Sequence, residues 1–153
     1  MTATKALKSL LKFFAIEPVK LTAKTVADRQ EVRLTVAEAD SGILIGYHGE
    51  TIDALQLMVN LMANQGQATF KPVLVDINAY RQLRLTQVEA LATRAADQSV
   101  ESGREIILPP LSAFERRQVH LKLQTDPRVS TYSEGEARER RLIVSPKGIK
   151  TAS

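Results

Sequence analysis

Apolar positions recur along this chain with two periods, and each change of period marks a new element. Leu7, Leu10, Leu11 and Phe14 follow the i, i+3, i+4, i+7 rule with lysines on the other face, which predicts an amphipathic helix stopped by Pro18. The period then drops to two. Stretches 19–26 and 31–37, separated by Asp28-Arg29-Gln30, read as a hairpin. In its second strand Val32, Leu34 and Val36 alternate with Glu31, Arg33 and Thr35. A short apolar helical turn, Ile43-Leu44-Ile45, runs into Gly46-Tyr47-His48-Gly49, and a helix begins near Glu50 with Ile52, Leu55, Val59 and Met62 as its buried stripe. A polar turn at 64–67 leads to a nearly continuous apolar strand at 73–77. The order helix, strand, strand, short helix, Gly-x-x-Gly loop, helix, strand predicts an α+β unit with helices on one face of a three-stranded sheet.

The second half opens with a helix expected over 79–102 and ended by Gly103. An Ala-rich face (Ala90, Ala92, Ala95, Ala96) is expected to pack closely, and Arg81, Arg84 and Arg94 to stay in water. A short strand at 105–108 ends in Pro109-Pro110. Ser112-x-x-Glu115 then has the form of a capping box opening a helix through about Gln124. Strands near 129–133 and 140–145 flank a turn at Glu134-Gly135, and residues 148–153 are expected to fray. Two α+β domains follow, 1–78 and 79–153, joined through the 79–102 helix.

Composition narrows the function classes. The 153 residues are 44% hydrophobic and 25% charged, as in a globular protein. There is no Cys, so neither disulfides nor thiolate metal sites exist. The N-terminal apolar residues are periodic rather than continuous and no 18-residue apolar run occurs, so a signal peptide and a membrane span are not expected and a cytoplasmic protein is. Residues 1–78 carry 8 Lys/Arg against 8 Asp/Glu, while 79–153 carry 13 against 9, so the whole surplus of +4 lies in the second half. A polyanion would be attracted there, although a merely solubilising basic surface gives the same balance.

Three features carry candidate chemistry. Gly46-x-x-Gly49 lies directly before a helix N-terminus. Its glycines would let backbone approach a phosphate, and the exposed N–H groups and helix dipole favour an anion. Two glycines three apart also make ordinary turns, but in this order of elements they have the form of a KH loop, which clamps a nucleic-acid backbone. Arg116-x-x-x-His120 places an Arg fork and an imidazole one turn apart on one helix face, able to address one phosphate together, with Arg117 adding charge. A solvated helix face gives the same pattern. Arg138, Arg140 and Arg141 sit beside a strand that could bring them toward the Arg116/His120 face, or they could guard an edge. The two histidines, His48 and His120, fall inside the two candidate phosphate-binding elements.

On these residues, 42–64 resemble the KH domain of the bacterial Jag family, also called EloR or KhpB. VDINAYRQLR resembles the family's link into its second domain, and FERRQVHLKLQTDPRVSTYSEGEARERRLIVSPK resembles that domain, named R-3-H for its Arg, three residues and His. The resemblance covers roughly 5–147. It implies a KH type II-like domain followed by a small α+β R-3-H domain, binding of single-stranded RNA, and a role in bacterial cell elongation, division or envelope regulation. It also implies a small KH-only protein as partner. Family members often have a further N-terminal domain and linker, whereas this chain begins almost at the KH domain, so that domain's function is not carried over. The loop positions often basic in KH domains are here Tyr47 and His48, which predicts weaker phosphate affinity, with Tyr47 able to stack on a base.

The expected function is therefore binding of single-stranded nucleic acid, RNA before DNA, through Gly46, Tyr47, His48 and Gly49 in one domain and Arg116, Arg117, His120 and Arg140 in the other. Bases are expected in a groove between the 50–63 helix and the 32–36 strand. Gly49→Asp is expected to cost binding with little loss of fold. A second reading is an adaptor that pairs with a KH protein and binds RNA weakly, using Leu57, Met58 and Leu61 unless these are core; homodimerisation stays open. Catalysis is not expected. Asp53 and Asp76 form no evident carboxylate pair, two distant histidines make no metal site, and no Lys-Ser/Thr follows the glycines to hold a nucleotide. No cofactor or metal is expected.

Overall fold

The computed structural model describes residues 1–148, so the expected fraying of 149–153 lies outside the described residues. The chain divides into two compact units, Met1–Arg81 and from Gln82 onward.

The first unit opens with α1 (Ala3–Phe13), capped by the Thr2 hydroxyl, which accepts from the Lys5 N–H. Its buried side is Ala3, Ala6, Leu7, Leu10 and Leu11. Phe14, expected in that stripe, is the C-cap and is exposed. The helix has already ended ahead of Pro18 because Ala15 turns into the left-handed region at φ 53°, and Ile16 takes the core position instead. The strands β1 (Lys20–Val26) and β2 (Arg29–Thr35) pair antiparallel with Val26 opposite Arg29. The reversal therefore occupies only Ala27 and Asp28, shorter than the separator read from the sequence, with Ala27 at φ 54°.

Next, α2 (Glu38–Ile45), a 3-10 turn (Tyr47–Gly49) and α3 (Glu50–Asn64) form the crossover that lets β3 (Val73–Ile77) return parallel to β2. The sheet order is β1-β2-β3. Val32, Leu34, Val75 and Ile77 on its inner face bury against Leu7, Leu11, Leu44, Ile52 and Val59 of the helices. Met62, expected in the α3 stripe, is only half-buried.

A ladder of side-chain amides fastens α3 to β3. Gln56, Asn60 and Asn64 stand one turn apart. The Gln56 Oε1 accepts from the Val75 N–H (3.0 Å), Asn60 bonds both the N–H and the carbonyl of Val73 (2.8 and 2.7 Å), and Asn64 does the same for Lys71 (2.7 and 3.0 Å). Backbone groups that an edge strand would leave open are thus satisfied by the neighbouring helix.

The long helix α4 (Tyr80–Ser102) begins in the first unit and continues through the second. Its buried positions in the second unit are Val88, Ala92, Ala95, Ala96 and Ser99, while Ala90 is exposed, one position off the stripe read from composition. Arg94 is exposed as expected, but Arg81 and Arg84 are half-buried and bonded. There follow β4 (Ile106–Ile107), α5 (Ala113–Leu123), β5 (Val129–Glu134) and β6 (Arg141–Pro146), giving an antiparallel sheet of order β4-β6-β5. Val119 and Leu123 of α5 and the alanines of α4 cover one face of it over Val129, Leu142 and Val144.

The capping box forms as read. The Ser112 Oγ accepts from the Glu115 N–H, and the Glu115 carboxylate accepts from the Ser112 N–H. That carboxylate, 5% exposed, also accepts from the Arg84 guanidinium of α4, so one side chain caps α5 and ties it to α4. Both units are mixed α+β with helices on one face of a three-stranded sheet, in agreement with the expected class. Among the described residues no helix is long and apolar enough to cross a membrane.

Candidate nucleic-acid interface

The backbone of the first loop requires its glycines. Gly46 has φ 72° and Gly49 φ 82°, the left-handed region that L side chains avoid. A Cβ on Gly46 would lie 2.1 Å from the Thr51 Oγ1, and one on Gly49 would lie 3.1 Å from the Tyr80 ring. Between them His48 is also left-handed at φ 51°, and Tyr47 is 61% exposed with its ring meeting that of His48 edge to face at 4.0 Å. No side chain caps α3, and the Gly49 and Glu50 N–H groups donate back to the Gly46 and Tyr47 carbonyls within the loop. Gly49 is buried, which corrects the expectation for Gly49→Asp: the new Cβ would strain the loop and press on Tyr80, so fold and binding would fall together.

The charge around this loop is acidic. Glu38 and Asp40 lie in the first turn of α2, and Glu50 and Asp53 in the first turn of α3. Asp53 pairs with the Arg81 Nη2 at 3.1 Å. The α3 amides meet β3 rather than the expected β2. β3 lies between β2 and the α3 amides, and Arg81 adds a bond to the Val75 carbonyl (3.0 Å) along the same edge.

In the second unit α5 places Arg116 and His120 on one face, as the spacing demands, but each is engaged within the chain. The half-buried Arg116 donates from Nη1 to the Leu111 carbonyl at 2.6 Å and so braces the segment entering α5. The exposed His120 shares a 2.6 Å hydrogen bond between Nδ1 and the Thr131 Oγ1 of β5, which orients the ring and leaves Nε2 as the nitrogen for a ligand. Arg117 is exposed beside them.

Of the arginines at the β5–β6 turn, Arg141 does not join this face. Gly135 (φ 92°) allows the tight return, since a Cβ there would meet the Glu139 carbonyl at 2.9 Å. Arg140 reaches only toward the Gly135 carbonyl (3.5 Å), and Arg141 donates to the carbonyls of Arg138 and Arg140. Thr131 faces the helices opposite Val144, whereas Arg141 pairs with Glu134 on the alternate face, about 10 Å farther along the strand. Tyr132 shares that outer face. Its hydroxyl donates to both Glu105 oxygens (3.0 and 3.1 Å), and burial first, then Glu105, raises its pKa above the ordinary tyrosine value.

Sequence reasoning missed Thr131, Glu105 and the α3 amides. Only the amides left a signal, as Gln and Asn at i, i+4 and i+8. Among the described residues no group of three or more His, Cys, Asp or Glu could hold a metal ion.

Comparison with known proteins fits this layout. Residues 4–77 match the family model described as the KH domain of KhpA/KhpB, and residues 86–146 match that of the R-3-H domain. The RNA-binding protein KhpB of Clostridium symbiosum is 36% identical over 118 residues, covering 77% of this chain and 53% of that protein. Its namesake in Lactiplantibacillus plantarum is 31% identical over 146 residues (94% and 45%), and that of Bacillus subtilis is 30% identical over 155 residues (92% and 74%). The chain thus spans about half the length of the first two relatives and three quarters of the third.

Proposed function

The chain belongs to the KhpB family, and from that premise we propose that it binds single-stranded RNA in the bacterial cytoplasm and acts after transcription in cell elongation, division or envelope control. The observation that carries this reading is the loop from Gly46 to Gly49. Two glycines in the left-handed region, which other residues adopt only with strain, shape the turn directly before a helix N-terminus that has no side-chain cap, with Tyr47 exposed for stacking. Arg117, Arg116 and the Nε2 of His120, with Arg140 of the β5–β6 turn in support, form the second contact in the R-3-H domain.

The test is fluorescence anisotropy with labelled single-stranded RNA and DNA across a salt series. Binding with a steep salt slope, weakened separately by Tyr47→Asp/His48→Asp and by Arg117→Ala/His120→Ala, supports the reading, and the RNA/DNA ratio names the ligand. Failure of the wild type to bind either strand at low salt refutes it.

A second reading has its own observation. Leu57, Met58 and Leu61 on α3 are 61%, 47% and 63% exposed, so they are not core, and they offer an apolar face for pairing with a small KH-domain protein or a second copy. Salt-insensitive association in sedimentation, abolished by Leu61→Glu, would favour that adaptor role.

A further inference from the structure

The face of the first sheet turned away from the helices is a strongly basic surface that the Gly46–Gly49 loop does not use. The register puts Lys20 opposite Thr35, Thr22 opposite Arg33, Lys24 opposite Glu31 and Val26 opposite Arg29 on this face. Lys20, Lys24, Arg29 and Arg33 are all exposed, and they are half of the Lys/Arg in residues 1–78.

At the centre lies Glu31, only 9% exposed. Its carboxylate meets the Lys24 Nζ at 3.2 Å, the Arg29 Nη2 at 3.0 Å and the Arg33 Nη2 at 3.5 Å, while those three side chains keep half or more of their surface in water. The Lys24 hydrogen bond, then Arg29, hold the Glu31 carboxyl below its ordinary value against the opposing effect of burial. One carboxylate thus gathers three cations, and the cluster keeps a surplus of positive charge. The other acid on the face, Asp76, is turned onto the N–H groups of Ile77 and Arg81.

We propose that this outer sheet face is a second nucleic-acid surface, which takes the phosphate backbone of single-stranded RNA between β1 and β2. The proposal rests on the RNA-binding reading above and relocates much of its electrostatic attraction from the acidic surroundings of the loop to the back of the sheet. Charge complementarity identifies the occupant. Of the strand positions on the face only Val26 and Leu74 are apolar, too little for the dry centre of a protein interface, whereas cations interleaved with the Thr22 and Thr35 hydroxyls suit phosphate oxygens. Arg29 stands opposite Val26, six positions along β1 from Lys20, so the cations span about 20 Å.

The experiment is anisotropy of a labelled oligouridylate with the full chain across a salt series, comparing wild type, Glu31→Gln, Lys24→Gln/Arg33→Gln and the loop variant Tyr47→Asp/His48→Asp, each checked by thermal melting. Glu31→Gln removes a negative charge while keeping the shape. It is expected to tighten binding about threefold and steepen the log–log salt slope by about 0.7, the value for one phosphate contact on a single strand. The Lys24/Arg33 pair is expected to weaken binding about tenfold and flatten the slope by about 1.4. A gain of affinity in Glu31→Gln cannot come from damaged folding.

If wild type binds and the loop variant weakens it while both sheet variants titrate like wild type, the sheet-face proposal is overturned and the loop reading stands. If wild type binds no RNA, both fall. Displacement of the RNA by poly-glutamate as readily as by unlabelled RNA would mark the face as a site for acidic protein and overturn its assignment to RNA.

Discussion

Two variants at neighbouring positions separate what the loop does from what holds it. Tyr47→Asp/His48→Asp places two carboxylates where the backbone of a bound strand would run. With a carboxylate–phosphate distance of about 6 Å and an effective dielectric between about 20 and 80, each pair costs roughly 0.7–2.8 kcal/mol. A total near 2 kcal/mol, toward the solvated end, corresponds to about a 30-fold loss of affinity. Tyr47 is exposed, and Asp tolerates the left-handed backbone of position 48, so the melting temperature should move by no more than about 3 °C. Gly49→Asp differs because a Cβ at φ 82° costs about 1–2 kcal/mol before its 3.1 Å contact with Tyr80 is counted. For a unit of this size about 2 kcal/mol lowers the melting temperature by about 10 °C. Anisotropy titrations paired with circular-dichroism melts read both quantities. An unmoved melt for Gly49→Asp would refute the steric reasoning, and an unmoved affinity for the double variant would refute the phosphate contact.

Other outcomes follow from contacts elsewhere. Glu115→Ala removes the α5 cap and leaves Arg84 half-buried without that carboxylate, so about 2–3 kcal/mol of stability should be lost, with Glu115→Gln recovering part of it in urea titrations. Asn60→Ala strips both bonds from Val73 and should cost about 1–3 kcal/mol, with the Val73 amide exchanging faster by NMR. Asp126, hydrogen-bonded by the Arg128 side chain first and its backbone N–H second, has its pKa lowered from 3.8 to about 2. A depressed folded-state pKa gives stability that is complete above the unfolded value and disappears as protons bind. Wild type should therefore lose stability between about pH 4 and 2, and Asp126→Asn should lose less across that window in acid titrations of the second unit.

The elements were legible because their signals are local. The alternation of Val32, Leu34 and Val36, the apolar run at Val73–Ile77 and the Ser112/Glu115 box each fix structure within a few residues. Errors arose where a neighbour decides. Phe14 fits the helical period, but the left-handed Ala15 hands its place to Ile16. Arg84 looked like a solvated helix arginine because Glu115 is 31 residues away in sequence. At the candidate site, spacing alone aligned Arg116 with His120. The binding of Arg116 to Leu111 and of His120 to Thr131 depends on how the chain returns, and so does the placement of Arg141 on the other face. The basic sheet face was hidden for a simpler reason: residues 1–78 sum to zero, and only the register shows that the two signs sit in different places.

The amide ladder of α3 also makes the two walls of the loop unequal. Three successive turns of α3 are bonded to β3 and its approach, and the helix buries Ile52, Leu55 and Val59. That arm is a stiff mount for the loop's second half. The other arm, α2, buries Leu44 alone, with Ile45 partly buried against the core. The loop therefore stands between one helix fastened to its strand by three side-chain amides and another seated through fewer buried side chains.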